Sequence, residues 1–197
     1  MWQLAAMAVG QRLLLASPVE TLARLVVLAR TGAFWRAVGF TIMHILAGFT
    51  LGALGGAILA GLSALSKVIG ALLAPLLTAV RAVPVASFTI VALIWLPSKR
   101  LSVLISMLIV LPVVYAGALS GLDHIDPKMT EMAKVFRIPP LRRFLKIDLP
   151  AALPALGDAA VTAMGLAWKA GVAAEVIGVP GGSVGEGLYR AKLYLAD

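Results

Sequence analysis

Few residues in this chain could do chemistry, and they are unusually placed. The sequence holds 2 histidines and no cysteine in 197 residues, which excludes disulfides, thiolate metal sites and a cysteine nucleophile. His44 stands in a glycine-rich apolar stretch, where a helix–helix hydrogen bond is its expected use. His124 lies near Asp123 and Asp126, a grouping that reads as a solvated turn rather than a metal site. No acid–base or metal constellation forms at one depth, so no catalytic residue and no metal ligand is expected. Two charged features remain. Arg81, Lys169 and Glu175 sit inside apolar stretches, and ionisable groups inside a membrane are functional suspects by default. If Arg81 and Lys169 reach similar depth, they can line a path that attracts an anion, and Glu175 is a candidate for the same pathway. The competing expectation is that Arg81 or Lys169 pairs with Glu175 to hold a helix bundle together. The second feature is Glu131-Met132-Ala133-Lys134-Val135-Phe136-Arg137, followed by Ile147-Asp148-Leu149-Pro150. A membrane protein that keeps such a charged, amphipathic segment on the water side uses it to grip a soluble partner.

The elements that must position these residues are membrane helices. The chain is 61% hydrophobic and 13% charged, with mean hydropathy +0.99, against about 45–50% apolar and 25% charged in soluble domains. A formal net charge of +8 with interleaved apolar spans fits basic loops at a membrane rather than a nucleic-acid face. A helix needs about 20 mostly apolar residues to cross. Ala37–Ala60, Leu101–Leu119 and Gly157–Gly178 qualify, and Val68–Leu96, holding Arg81, Pro75 and Pro84, reads as a kinked or broken helix. Met1–Ala16 is too short to span and lacks the basic start of a signal peptide. Gly48, Gly52 and Gly56 share one helix face and allow close approach of a neighbouring helix. Trp95 and Trp168 read as interfacial or packing aromatics. Gly178–Gly187 contains five glycines but neither follows a strand nor precedes Lys-Ser/Thr, so it is not a phosphate loop. Basic residues divide evenly between the two sides, so the positive-inside rule does not orient the chain.

Ser120–Leu156 connects the third and fourth spans. Asp126 can cap a helix that starts at Pro127, and Met129, Met132, Ala133 and Phe136 then form an apolar stripe. Pro139-Pro140 stops that helix and starts another, in which Leu141, Phe144 and Leu145 oppose Arg142, Arg143 and Lys146. Composition alone is equally compatible with a partner-binding helix-turn-helix and with an amphipathic segment resting on anionic lipid.

These residues resemble the cytoplasmic loop of binding-protein-dependent ABC importer permeases, whose pattern runs Glu-Ala-Ala, three residues, Gly, nine residues, Ile-x-Leu-Pro. Glu131, Ala133, Ile147, Leu149 and Pro150 match at the right spacing. Met132 replaces the first alanine and Arg137 the glycine. Arg137 disfavours a left-handed turn, so a different local bend is expected. Ser17-Pro18, the glycine-rich span, Arg81-Ala82-Val83-Pro84, Ile94-Trp95 and Ala173-Ala174-Glu175 are similar to the nitrate/taurine/sulfonate branch. The resemblance implies an all-α polytopic helical bundle of the type I importer kind in the bacterial plasma membrane, apparently lacking a complete first helix and the last helix. It divides the chain into an N-terminal remnant with an extracytoplasmic amphipathic segment, 1–35, and a transmembrane type-1 domain, 36–197, with the coupling loop at 120–156. It implies a permease subunit, not an enzyme, that forms a solute pathway. Glu131, Ala133, Phe136, Arg137, Ile147, Leu149 and Pro150 would meet a cytoplasmic ATPase, which binds the ATP and Mg; this chain needs no cofactor. A second permease copy and an extracytoplasmic solute-binding protein complete the set, and no nucleic acid is involved. The solute would be a small anion such as a sulfonate, nitrate or carboxylate, or a vitamin precursor. The alternative is a membrane signalling or scaffold protein whose loop binds lipid or a partner.

Overall fold

The computed structural model describes residues 2–3 and 17–194; the expectation for Met1–Ala16 lies otherwise outside the described residues. Every regular element among them is helical. Helix α1 (Pro18–Ala29) starts on Ser17, whose hydroxyl accepts from the Glu20 N–H at 3.2 Å, with proline at the first position, where its missing donor costs nothing. Helices α2 (Gly32–Leu65), α3 (Lys67–Ala82), α4 (Val85–Trp95), α5 (Ser98–Asp123) and α6 (Pro127–Val135) follow. A short turn α7 (Pro140–Arg143) leads through one π-turn (Phe144–Asp148) into α8 (Leu149–Gly178), and α9 (Val184–Tyr194) closes the chain.

Three elements are long and apolar enough to cross a membrane: α2, α5, and the continuous stretch Pro140–Gly178. Helices α3 and α4 make a fourth span only if counted together, because they bend by 98° between them. The broken helix expected over Val68–Leu96 is therefore a sharp elbow. Pro84 lacks the N–H that would carry α3 onward and biases Val83 to an extended ψ of 129°. The expected second surface helix, by contrast, is not a separate element. Its residues wind straight into the last span, which begins at Leu149, about two turns before Gly157. Lys169 therefore stands deeper along its helix than Arg81 does along α3, and the two are not level when counted from the loop.

Helix α5 is central, with α2 and α8 packed along its length. The approach of α2 is closer than side chains allow. A Cβ on Gly52 would lie 2.8 Å from the Met107 carbonyl oxygen, and one on Gly56 2.5 Å from that of Leu111; one on Gly48 would strike the Val103 carbonyl. In lipid no hydrophobic drive brings helices together, so such contacts supply the packing energy. Polar cross-links add to them. Ser106 Oγ donates to the Ala167 carbonyl at 3.2 Å, and Tyr115 Oη to Ser63 Oγ at 3.1 Å. Outward positions such as Met43, Leu54, Ile58 and Val161 remain exposed, as lipid-facing positions should.

Among the described residues His44 makes no helix–helix hydrogen bond. Its Nδ1 pairs with the Phe40 carbonyl one turn earlier in α2, at 2.8 Å, and its ring stacks on Phe40. A histidine inside a helix can satisfy one ring nitrogen on the carbonyl one turn earlier, which the apolar surroundings on the sequence did not reveal.

Candidate functional site: the loop and the opposite end of the bundle

The loop that links α5 to α8 is built by local rules. The Asp126 carboxylate accepts from the Lys128 N–H at 2.9 Å, and Pro127 occupies the first helical position. Helix α6 ends in a left-handed turn at Arg137, φ 49°. The Arg137 N–H donates to the Lys134 carbonyl and the Ile138 N–H to that of Ala133, at 3.0 and 2.9 Å. This is the paired closure usually made by glycine. The expectation of a different bend at Arg137 is thus overturned: the bend is that of glycine, and the arginine adopts it at a steric cost. Arg137→Gly should relieve roughly 1 kcal/mol and raise the unfolding temperature of detergent-solubilised protein; a lower one would show that the side chain holds the turn.

The apolar stripe does not turn inward. Only Ala133 is buried, at 2% exposure, whereas Phe136 and Val135 stand at 73% and 78% and Met129, Met132, Leu141 and Leu145 are exposed too. Glu131 is exposed, and with Thr130, Lys134, Arg143 and Asp148 it lines a cleft of about 500 Å³ against Ala64 and Leu65 at the end of α2. Leu149 and Pro150 are exposed at the start of α8, with Ile147 half-buried beside them.

Sequence reasoning missed the group that braces this loop. Arg143 Nη2 donates to Thr130 Oγ1 at 3.2 Å, and Arg143 Nε donates to Asp148 Oδ1 at 3.3 Å. Phe144 seats the π-turn on α2, where a Cβ on Gly61 would meet its ring at 3.4 Å. Arg143 had been counted only as one of several basic residues. The signal was its spacing five before Asp148, which a regular α-helix would not bring together but a π-turn does.

The other expected residues lie elsewhere. Arg81, at the last turn of α3, donates from Nη2 to the Pro112 carbonyl of α5. Lys169 is exposed on α8 and has no hydrogen bond or ion pair among the described residues. Glu175, expected beside the pathway, is at 0% exposure and pairs with neither cation. Its Oε2 accepts from Thr41 Oγ1 at 2.8 Å and from the Gly185 N–H at 3.3 Å, while the Val184 N–H donates to Thr41 Oγ1 at 3.1 Å. Glu175 thus holds the start of α9 against α2 and α8, at the end of the bundle opposite the loop. No cluster of potential metal ligands occurs among the described residues.

The described residues thus form a bundle of membrane helices with an outward-facing amphipathic loop at one end. The chain belongs to the family of binding-protein-dependent transport system inner membrane components, whose model matches residues 52–196. It is 34% identical over 145 residues to a probable ABC transporter permease protein of Haemophilus influenzae, covering 73% of this chain and 59% of that protein. Identity to a putative aliphatic sulfonates transport permease protein, SsuC, of Bacillus subtilis is 29% over 184 residues, covering 92% of this chain and 66% of that protein. To the bicarbonate transport system permease protein CmpB of Synechococcus elongatus it is 28% over 165 residues, covering 83% and 58%. The chain therefore spans about six-tenths of the length of these curated relatives. It is a multi-pass inner membrane component of that family, and permeases named for aliphatic sulfonates and for bicarbonate are among the proteins it resembles.

Proposed function

We propose that this chain forms the solute pathway of an ATP-driven importer and is coupled to a cytoplasmic ATPase by the loop at 120–156, within a transmembrane domain at 36–197. The observation that carries this reading is the apolar crest of Met129, Met132, Val135 and Phe136, which the chain's own bundle leaves uncovered around Glu131. Such a crest, rimmed by Lys128, Lys134 and Arg137, suits a cleft with an apolar floor and acidic edges. Glu131 would pair with a cation there, while ATP and Mg stay on the ATPase. Ile147, Leu149 and Pro150 set where the loop rejoins the membrane.

A second copy of the chain and an extracytoplasmic solute-binding protein complete the importer. Lys169 supports the second copy: an unpaired cation within a span must face a partner or a watery path rather than lipid. Lys169, and separately Arg81 at another level of the bundle, favour an anionic solute such as a sulfonate, nitrate, bicarbonate or a carboxylate, and the names of two similar permeases, for sulfonates and for bicarbonate, agree with that class. Glu175 shapes the wall of that path from within.

The test is co-purification with the cognate ATPase in mild detergent. The native chain should capture the ATPase, and Glu131→Arg should reduce capture by about tenfold or more, the loss expected when one partner of a buried interfacial charge pair is reversed. Equal capture by both would remove Glu131 from the interface. Binding of both to anionic vesicles without any ATPase capture would favour the lipid-resting scaffold instead.

A further inference from the structure

The loop has to do more than bind, because a docked helix that swivels freely would transmit no movement to the membrane. The brace formed by Arg143 addresses that requirement. Its guanidinium ties Thr130, in the middle of α6, to Asp148, the last residue before α8, through two separate nitrogens. The backbone between those two partners contains the left-handed turn at Arg137, the two prolines and a π-turn. From Pro140 the backbone winds without a break into α8, but no helix bridges Val135 to Pro140, so side chains must set the angle between α6 and that helix. Arg143 and Asp148 are both half-buried, and a planar fork that holds two acceptors fixes orientation as well as distance.

We propose that Arg143 is a positioning residue that locks α6 to the foot of α8, so that the docked helix and the last span move as one body. This rests on the reading of the loop as the ATPase contact. The stroke of the ATPase would then reach α8, which carries Lys169 about two-thirds of the way along and Glu175 near its far end, as a rigid rotation rather than being lost in the loop.

The chain has no cysteine, so spin labels can be placed at Pro127→Cys at the start of α6 and Val161→Cys on α8, both at exposed positions. The distance between them is read by pulsed electron spin resonance in the permease–ATPase complex, without nucleotide and with ATP plus vanadate. With Arg143 present, one narrow distance should persist in both states. Arg143→Ala should still capture the ATPase, but its distribution should broaden and shift when nucleotide is added. Reversing the pair, Arg143→Asp with Asp148→Arg, should narrow it again. A distance that changes with nucleotide when Arg143 is present would overturn the single-body picture. An unchanged narrow distance in Arg143→Ala would show that Arg143 is not the tie. If Arg143→Ala fails to capture the ATPase, Thr130→Val, which removes one arm, must broaden the distribution or the proposal fails. Absence of capture by the native chain would overturn the ATPase reading itself, and this proposal with it.

Discussion

Gly52→Val should prevent the bundle from assembling. A Cβ at Gly52 would lie 2.8 Å both from the Met107 carbonyl oxygen and from Val110 Cβ, and 3.0 Å from Val110 Cγ1. One of these neighbours is backbone and the others belong to a fully buried side chain, so neither can swing aside. The helices would have to separate, and separation there also pulls Gly48 and Gly56 off α5. Overpacking usually costs about 1–3 kcal/mol at one site. Here the loss spreads along three consecutive turns, so the effect should lie at or above the top of that range. The measurement is the yield of monodisperse protein after detergent extraction and its unfolding temperature. Gly39→Ala is the matched control: nothing lies within 4 Å of a Cβ there, and replacing a helical glycine by alanine ordinarily gains about 0.5–1 kcal/mol. Equal behaviour of Gly52→Val and Gly39→Ala would show that the close approach of α2 and α5 is not what stabilises the bundle.

Glu175→Ala should release the last helix. The carboxylate accepts from Thr41 Oγ1 and the Gly185 N–H, and leaving a buried donor unsatisfied costs about 1–3 kcal/mol each. The site cannot collapse to compensate, because Gly185 already lies against the Glu175 backbone, with no room for a Cβ. The turn between them is also under strain. Val179 takes a left-handed φ of 45°, costly for a β-branched residue, and persists because the latch beyond it holds. Without the carboxylate that strain favours opening. Amide exchange over 184–194 should accelerate by about tenfold or more, as loss of more than 1.4 kcal/mol of local stability requires, with the exchange of α5 little changed. Glu175→Gln should be milder, since it keeps one acceptor oxygen, but not silent. Oε1 has no hydrogen-bond partner among the described residues, so an amide nitrogen placed there would be an unsatisfied donor. Unchanged exchange in Glu175→Ala would mean that α9 is held by Ser183 and Glu186, which cap its first turn, rather than by Glu175.

Both effects bear on how the importer would work. The glycine face makes α2 and α5 one unit, while the Glu175 latch ties the far end of α8 to α2. A force entering at α6 through Arg143 would therefore meet a bundle stiff enough to carry it from one end to the other.

What the sequence determined by itself was whatever depends on neighbours within a few turns. Apolar runs long enough to cross a membrane marked α2, α5 and α8, because length and hydropathy are local properties. Asp126 with Pro127 marked the start of α6, since a cap needs only the next few N–H groups. The four-residue spacing of Gly48, Gly52 and Gly56 placed them on one face, though not against which helix. Tertiary structure decided the rest. The direction taken after Pro84 depends on what α4 packs against, so a broken helix could be foreseen but not an elbow of 98°. Arg137 was expected to alter its turn because arginine disfavours a left-handed backbone. The surrounding closure onto Ala133 and Lys134 held the turn in place all the same. Glu175 read as a possible partner for Arg81 or Lys169, yet its partners are a threonine 134 residues away and a backbone amide beyond a glycine turn. The roles of Thr41, Thr130 and Arg143 stayed hidden for the same reason: hydroxyls and guanidinium groups acquire a function only from what the fold brings within 3.3 Å.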